Sequence, residues 1–278
     1  MTIVTMRSRK PRRLLLSLLG NHVVDEHDDW IRAATFLEVL SGAGIGQATA
    51  RATLDRMVVV GMLERRKDGR EVAFRPTAHA RRVIRGASAR VHGPRPFEPT
   101  GDGWTLVTFA LSEKHRHTRH RLRAALLWEG FGAVRDGLWI APGEVDLTTA
   151  LARLQPDLPD GAVVAFRAHE LTSFPVAPAV ADAWDLAEIR AQHELFLREW
   201  GGEPSLEQPL VDQTALVADW LTLQRTDPRL PQEFLDPDWP APRTVEAFRT
   251  WMNALAAPAA EAFGSLVGEA VAPRRSGV

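Results

Sequence analysis

Cysteine and tyrosine are both absent from this 278-residue chain. Without cysteine there is no disulfide framework and no thiolate metal site, which fits a reducing cytoplasm. No apolar run approaches the roughly 20 residues that a membrane helix needs. The stretch LLLSLLG at 14–20 follows basic residues and briefly resembles a signal peptide. Its apolar run is too short, however, and charged residues follow from Asp25 to Asp29 with no evident cleavage site. It reads as a first core helix. Also missing are a Gly-rich phosphate loop, a nucleophile elbow, an HExxH motif, internal repeats and extended low-complexity segments.

What remains is ordinary globular material, 45% hydrophobic and 25% charged, long enough for two or three compact domains. The net charge of −1 conceals an asymmetry. Residues 1–100 hold 18 Lys and Arg against 10 Asp and Glu, a surplus of +8, which leaves −9 for the rest. That separation points to a polyanion-binding head on an acidic body, or to chance clustering on a solvated surface. The local pattern has to decide.

A basic arm, RSRKPRR at 7–13, leads into Leu14, Leu15, Leu18 and Leu19 at helical spacing. DDWIRAATFLEVLSGAG reads as a second helix, with Asp28 and Asp29 at its N-terminus, Ile31, Ala34, Leu37 and Leu40 on one face, and Gly42 and Gly44 at its end. GQATARATLDRM at 46–57 opens a third helix that ends near Gly61. MLERRK and REVAF then flank Asp68–Gly69, a two-residue hairpin turn whose positions favour positive φ. PTAHARRVI begins a fourth helix. Three helices followed by a hairpin describe a winged helix-turn-helix. After a Gly- and Pro-rich stretch, residues 104–171 read as β-α-β-β-α-β, the order of the ferredoxin-like fold. Helices at 182–200, 206–226 and 243–271 complete the chain, joined by a proline-rich connection. The expected architecture is therefore an α+β multidomain chain. Its parts are a winged-helix domain at 1–90, a linker at 91–103, a ferredoxin-like middle domain at 104–174 and a helical C-terminal domain at 175–278.

The third helix is unusual. With Leu54 at the centre of its buried face, Ala50, Met57 and Val58 fall nearby, while Ala48, Thr49, Ala52, Thr53 and Arg56 fall opposite, and Arg51 and Asp55 lie at the edges. A small, hydroxylated and basic face is what a major-groove helix needs. Small residues allow close approach, hydroxyls bond phosphates or bases, and arginine pairs with guanine. The alternative is a solvated surface helix in which Arg51 and Asp55 pair at i, i+4. The surroundings favour DNA: Arg65, Arg66, Lys67 and Arg70 cluster at the hairpin, and Arg7, Arg9, Lys10, Arg12 and Arg13 populate the arm. Gln47, Thr49, Arg51, Thr53 and Arg56 complete the expected DNA-binding set, with double-stranded DNA as the partner.

The segment ATARATLDRMVVVGMLERRKDGREVAFRPT resembles the DNA-binding head of the PaaX family of bacterial transcriptional repressors. GDGWTLVTFALSEKHRHTRHRLRAALLWEGFGAVRDGLWIAP resembles that family's middle domain, and AWDLAEIRAQHELFL and DPRLPQEFLDPDWP resemble parts of its C-terminal domain. The resemblance implies a cytoplasmic homodimer on a palindromic operator, released by an aryl-CoA thioester, phenylacetyl-CoA in the founding members. No motif here is specific enough to transfer that inducer.

HRHTRH at 115–120 places His115, His117 and His120 close together, but the embedded Arg116 and Arg119 disfavour a cation, so neither a metal nor a cofactor is expected. A second stripe on that helix, His117, Arg121, Ala124 and Trp128, lies opposite Leu122 and Leu126. It reads either as a domain or dimer interface or as a ligand wall. In the second case Arg116, Arg119 and Arg121 face the phosphates of an acyl-CoA, and His117 and Trp128 complete the effector site. A ferredoxin-like domain also invites comparison with metal-dependent nucleases that use a carboxylate at the first strand. Here Asp102 sits among glycines in a turn, and one carboxylate is poor support for phosphodiester cleavage. The expectation is a ligand-responsive repressor and not an enzyme. A nuclease and a transcriptional activator are the alternatives.

Overall fold

The computed structural model describes residues 9–271 apart from 70 and 136. Arg7 and Arg70 of the expected DNA-binding set therefore lie outside the described residues. The chain divides into two compact units. One comprises residues 1–94, 195–221 and 243–278, and the other 95–194 and 222–242. The helical C-terminal stretch contributes to both.

The first unit begins with α1 (Pro11–His22), whose proline occupies the first turn, where its missing N–H costs nothing. Leu14, Leu15, Leu18 and Leu19 are completely buried. Next come β1 (Ile31–Arg32), α2 (Ala33–Gly42) and α3 (Gln47–Val59). The hairpin strands β2 (Leu63–Asp68) and β3 (Glu71–Pro76) follow, then α4 (Ala78–Val91), capped by the Thr77 hydroxyl, which accepts from the Ala80 N–H at 3.0 Å.

Three details depart from the sequence expectation. The second helix starts at Ala33, because Ile31 and Arg32 pair antiparallel with Phe74 and Ala73 and make β1 the third strand of the sheet β1-β3-β2. Asp28 is then not a helix cap. It pairs with Arg81 of α4, as Asp25 does with Arg85. The hairpin ladder runs through Asp68↔Glu71, so the turn falls one residue later than Asp68–Gly69, and Gly69 supplies the positive φ of 62°.

Parts of α8 (Leu186–Trp200) and α9 (Pro209–Thr226), and α10 (Ala241–Val271), complete this unit. Trp220 stacks on Phe248 with centroids 4.0 Å apart, and its indole N–H donates to the Val91 carbonyl. The Ser17 hydroxyl donates to the Thr214 carbonyl at 2.8 Å. Trp200, Trp220 and Trp251 are buried here, as core anchors should be.

The second unit carries β4 (Trp104–Phe109), α5 (Arg116–Trp128), β5 (Gly132–Arg135), β6 (Leu138–Pro142), α6 (Leu147–Leu151) and β7 (Val163–Ala168), the expected β-α-β-β-α-β order. Its four strands pair antiparallel in the order β5-β6-β4-β7. Leu122 and Leu126 of α5 pack with Val107, Phe131 and Trp139 on one face of the sheet. Trp104 and Ile140 pack with Val180 and Leu230 on the other. The helix expected across 182–200 is interrupted. Helix α7 (Ala177–Ala183) ends at an extended Trp184, and α8 restarts where the Asp185 carboxylate accepts from the Glu188 N–H at 2.9 Å. Asp102 lies exposed between Gly101 and Gly103, both at positive φ, a turn role. Among the described residues no helix is long and apolar enough to cross a membrane, and no group of three or more His, Cys, Asp or Glu is placed to hold a metal.

Candidate nucleic-acid interface

Helix α3 buries Ala50, Leu54 and Met57 and turns Gln47, Ala48, Thr49, Arg51, Ala52, Asp55 and Arg56 outward. Thr53 is the exception to the expected outer face. It is 3% exposed, its hydroxyl donates to the Thr49 carbonyl at 2.7 Å, and it accepts from Arg56 Nη2 at 3.1 Å. Thr53 lies 100° from Leu54 around the helix, on the edge of the buried stripe, where satisfying its hydroxyl locally permits burial. It steadies Arg56 and does not face solvent. Arg51 does not pair with Asp55 within the helix. Asp55 instead accepts from exposed Arg65 of β2 at 3.4 Å.

The hairpin is tied down by an aromatic that sequence reasoning did not single out. The Trp30 ring carries the Arg66 guanidinium at 4.8 Å and the Arg75 guanidinium at 4.7 Å from its centroid. Arg75 also donates to Glu64 at 2.6 Å, and Arg32 pairs with Glu71 at 3.1 Å. The outward-facing cations of β2, Arg65 and Lys67, stand near these anchors. Between α2, α3 and the hairpin lies a cavity of about 380 Å³ with Leu37, Leu54 and Phe74 among its apolar walls and Arg32, Arg51 and Arg65 among its polar ones. A two-residue strand leaves no periodicity to read, so Trp30 and its neighbours carried no usable sequence signal.

The cations of the arm differ in their surroundings. Lys10 and Arg12 are exposed, and Arg13 is half-buried. Arg9 is committed inside the unit. Its Nη2 is 2.8 Å from Asp219 Oδ2 and 3.0 Å from Glu199 Oε1, and its guanidinium lies 5.5 Å from the Trp200 ring centroid. Burial alone lowers the Arg9 pKa, but its bonds to Asp219 and Glu199 outweigh that and hold it above the ordinary value. Arg9, expected among the DNA contacts, is placed in a packing ion pair, because a nearly buried carboxylate needs its charge.

Residues of the expected effector stripe on α5 have partners within the unit. Arg119 donates to Glu113 and to the Leu111 carbonyl, and Arg121 pairs with Asp157. Trp128, 56% exposed, carries the Arg225 guanidinium 4.1 Å from its ring centroid. Arg116 and His117 are exposed, and His115 Nδ1 meets the Ser112 hydroxyl at 3.0 Å.

Comparison with known proteins covers most of the chain in three matches. Residues 10–80 match the family model described as PaaX-like protein, 98–173 the PaaX protein central Cas2-like domain, and 184–265 the PaaX-like protein C-terminal domain. The chain belongs to the PaaX family. Among curated proteins it is 28% identical over 281 residues to the transcriptional repressor PaaX of Escherichia coli K12, covering 92% of this chain and 83% of that one. Among solved structures it is similar to the uncharacterized protein Rv0674 from Mycobacterium tuberculosis. That match has a TM-score of 0.58 and 25% identity, over 92% of this chain and 99% of the other. The PaaX-family matches cover both the α3–hairpin surface and the four-stranded sheet.

Proposed function

We propose that this PaaX-family chain is a cytoplasmic, ligand-responsive transcriptional repressor that binds a palindromic operator as a homodimer. The observation that carries the reading is the outward row Gln47, Thr49, Arg51 and Arg56 on α3, flanked in the same unit by exposed Arg65 and Lys67 of the hairpin. Helices α1–α3 with β2 and β3 form a winged helix-turn-helix. Helix α3 enters the major groove, its N-terminal half reads base edges, and the hairpin meets the phosphate backbone. The ferredoxin-like sheet of the second unit belongs to the matched central domain. Release is by a small effector, and the family resemblance names the class of aryl-CoA thioesters such as phenylacetyl-CoA. The repressor relative supports a regulatory and non-enzymatic role.

Selection from random duplexes, followed by fluorescence-anisotropy titration of the winner, tests this reading. The expected product is a two-fold symmetric site whose half-sites are about 10 base pairs apart, or a multiple of that. If about six to ten phosphates are neutralised, affinity falls about 10³–10⁵-fold between 50 and 200 mM salt. Failure to enrich any sequence over random DNA overturns the proposal.

A further inference from the structure

Beside the stripe of His117, Arg121 and Trp128, α5 presents another coherent row. His120, Arg123, Ala124 and Leu127 repeat at i, i+3, i+4 and i+7 and share one helix face. With Arg135 and Val134 of β5 and Trp139 of β6, this row bounds a groove of about 440 Å³ lying wholly within the second unit. That volume falls in the range of about 300–1,000 Å³ typical of small-molecule sites.

Three observations bear on what fills it. The first is charge. On α5 itself, Arg119 meets Glu113 and Arg121 meets Asp157. Among the described residues, neither Arg123 nor Arg135 meets one, and both face the same space as His120. Cations gathered without a counter-charge repel one another, and an anion between them relieves that. The second is backbone. The β5–β6 ladder runs Ala133↔Trp139 and then Arg135↔Leu138, so β5 carries an irregularity at Val134 on a free sheet edge. Such bulges re-aim side chains and are concentrated at sheet edges and beside active sites. The third is apolar surface. Leu127 is 59% exposed on the helix side, while Trp139, 6% exposed, forms a packed floor. A purely solvating arginine surface has no need of an exposed leucine over a tryptophan.

We infer that the α5–β5 groove binds a small amphiphilic anion, with a phosphate or carboxylate held by Arg123, Arg135 and His120 and an apolar body laid on Leu127 and Trp139. This inference rests on the effector reading above and moves the site one helix face away from His117, Arg121 and Trp128. A nucleic-acid backbone is the less fitting occupant, because it offers no apolar body for the leucine and tryptophan walls.

Calorimetric titration of the full chain with phenylacetyl-CoA, coenzyme A and phenylacetate tests it. The proteins compared are wild type, the double variant Arg123→Gln/Arg135→Gln, and Arg153→Gln as a control outside the groove. At least one probe is expected to bind wild type, with affinity about ten-fold or more weaker in the double variant and unchanged in the control. Coenzyme A binding without phenylacetate binding identifies the anion as a phosphate, and the reverse identifies a carboxylate. The double variant should keep its melting temperature and its ligand-free operator affinity. Three results overturn the inference: no heat from any probe with wild type, equal affinity in wild type and double variant, or loss of ligand-free operator binding in the double variant. The second leaves the effector reading standing while removing the groove. The third makes the groove a DNA contact. Failure of the repressor reading itself is seen separately, as a wild-type protein that selects no operator.

Discussion

Arg9→Ala distinguishes a packing role from a DNA-binding role at one residue. The Arg9 side chain is 17% exposed and that of Asp219 only 5%. Asp219 also accepts from the Trp200 indole N–H at 3.1 Å. Burial already pushes the Asp219 pKa up, with Arg9 pulling against it. Removing Arg9 leaves a desolvated carboxylate without its cation, which costs about 3–5 kcal/mol for a buried pair. The half-exposed Glu199 arm adds only about 0–1 kcal/mol. Because Arg9 keeps some contact with water, the lower end applies, about 3 kcal/mol. For a chain of this size each kcal/mol moves the melting temperature by about 2–4 °C, so the expected drop is about 6–12 °C. Circular-dichroism melting gives that number, and operator anisotropy well below the transition gives affinity. The variant should melt early yet bind operator normally when folded. Arg9→Met with Asp219→Leu should recover much of the loss, since a well-packed apolar pair of similar volume replaces the ion pair. An unchanged melting temperature with weakened operator binding would refute the reasoning and restore Arg9 to the phosphate backbone.

Arg51→Ala and Thr49→Ala should reduce discrimination between operator and random DNA by about 1–3 kcal/mol for a lost base contact, measured as the ratio of the two affinities. Lys67→Ala should weaken both alike and reduce the salt slope by about one; equal specificity ratios in all three variants would remove α3 from base reading. Gly69→Val meets no atom within 4 Å but forces a β-branched residue to a φ of 62°, so operator affinity should fall more than thermal stability; normal binding would mean the hairpin tip does not touch DNA. His22 is 3% exposed, and burial holds its pKa below 6.5 against the pull of Gln213 and Glu26. A depressed histidine pKa stabilises fully above the unfolded value and loses that contribution as pH falls below it. The melting temperature should therefore drop as pH falls below about 6.5, and His22→Gln should flatten that drop.

The regular parts of this fold were legible because their signals are local. Leu14, Leu15, Leu18 and Leu19 repeat at helical spacing and all end up buried. The turn glycine at 69 and the strands around it were readable for the same reason, to within one residue. The misses are all decided by partners distant in sequence. Ile31 looks like a helix-face residue until Phe74 pairs with it. Asp28 looks like a cap until Arg81 of α4 approaches. Arg9 looks like a free arm residue until Asp219, 210 positions away, claims it. On α5 the stripe His117, Arg121 and Trp128 was legible as one helix face, but its contacts with Asp157 and Arg225 were not, because those partners are distant in sequence.

Charge counting found the basic head, but pairing sorts its arginines. The surplus of +8 over residues 1–100 treats every arginine alike. In the folded chain Arg32, Arg75, Arg81 and Arg85 meet Glu71, Glu64, Asp28 and Asp25, so their charge is largely spent on holding the head together. Arg66 and Arg75 clamp Trp30, which fixes the hairpin against the segment that leads into α2. Among the described residues no carboxylate is paired with Arg51 or Arg56, and both sit on the outward face of α3. A phosphate or base edge competes weakly for a guanidinium that already has a carboxylate and strongly for one that has not, because only the first exchange sacrifices a charge-assisted bond. The carboxylate-paired arginines of the head and the unpaired Arg51 and Arg56 of α3 are therefore different residues, and Ile31–Arg32 pairs with the hairpin strand β3 immediately before α2 begins.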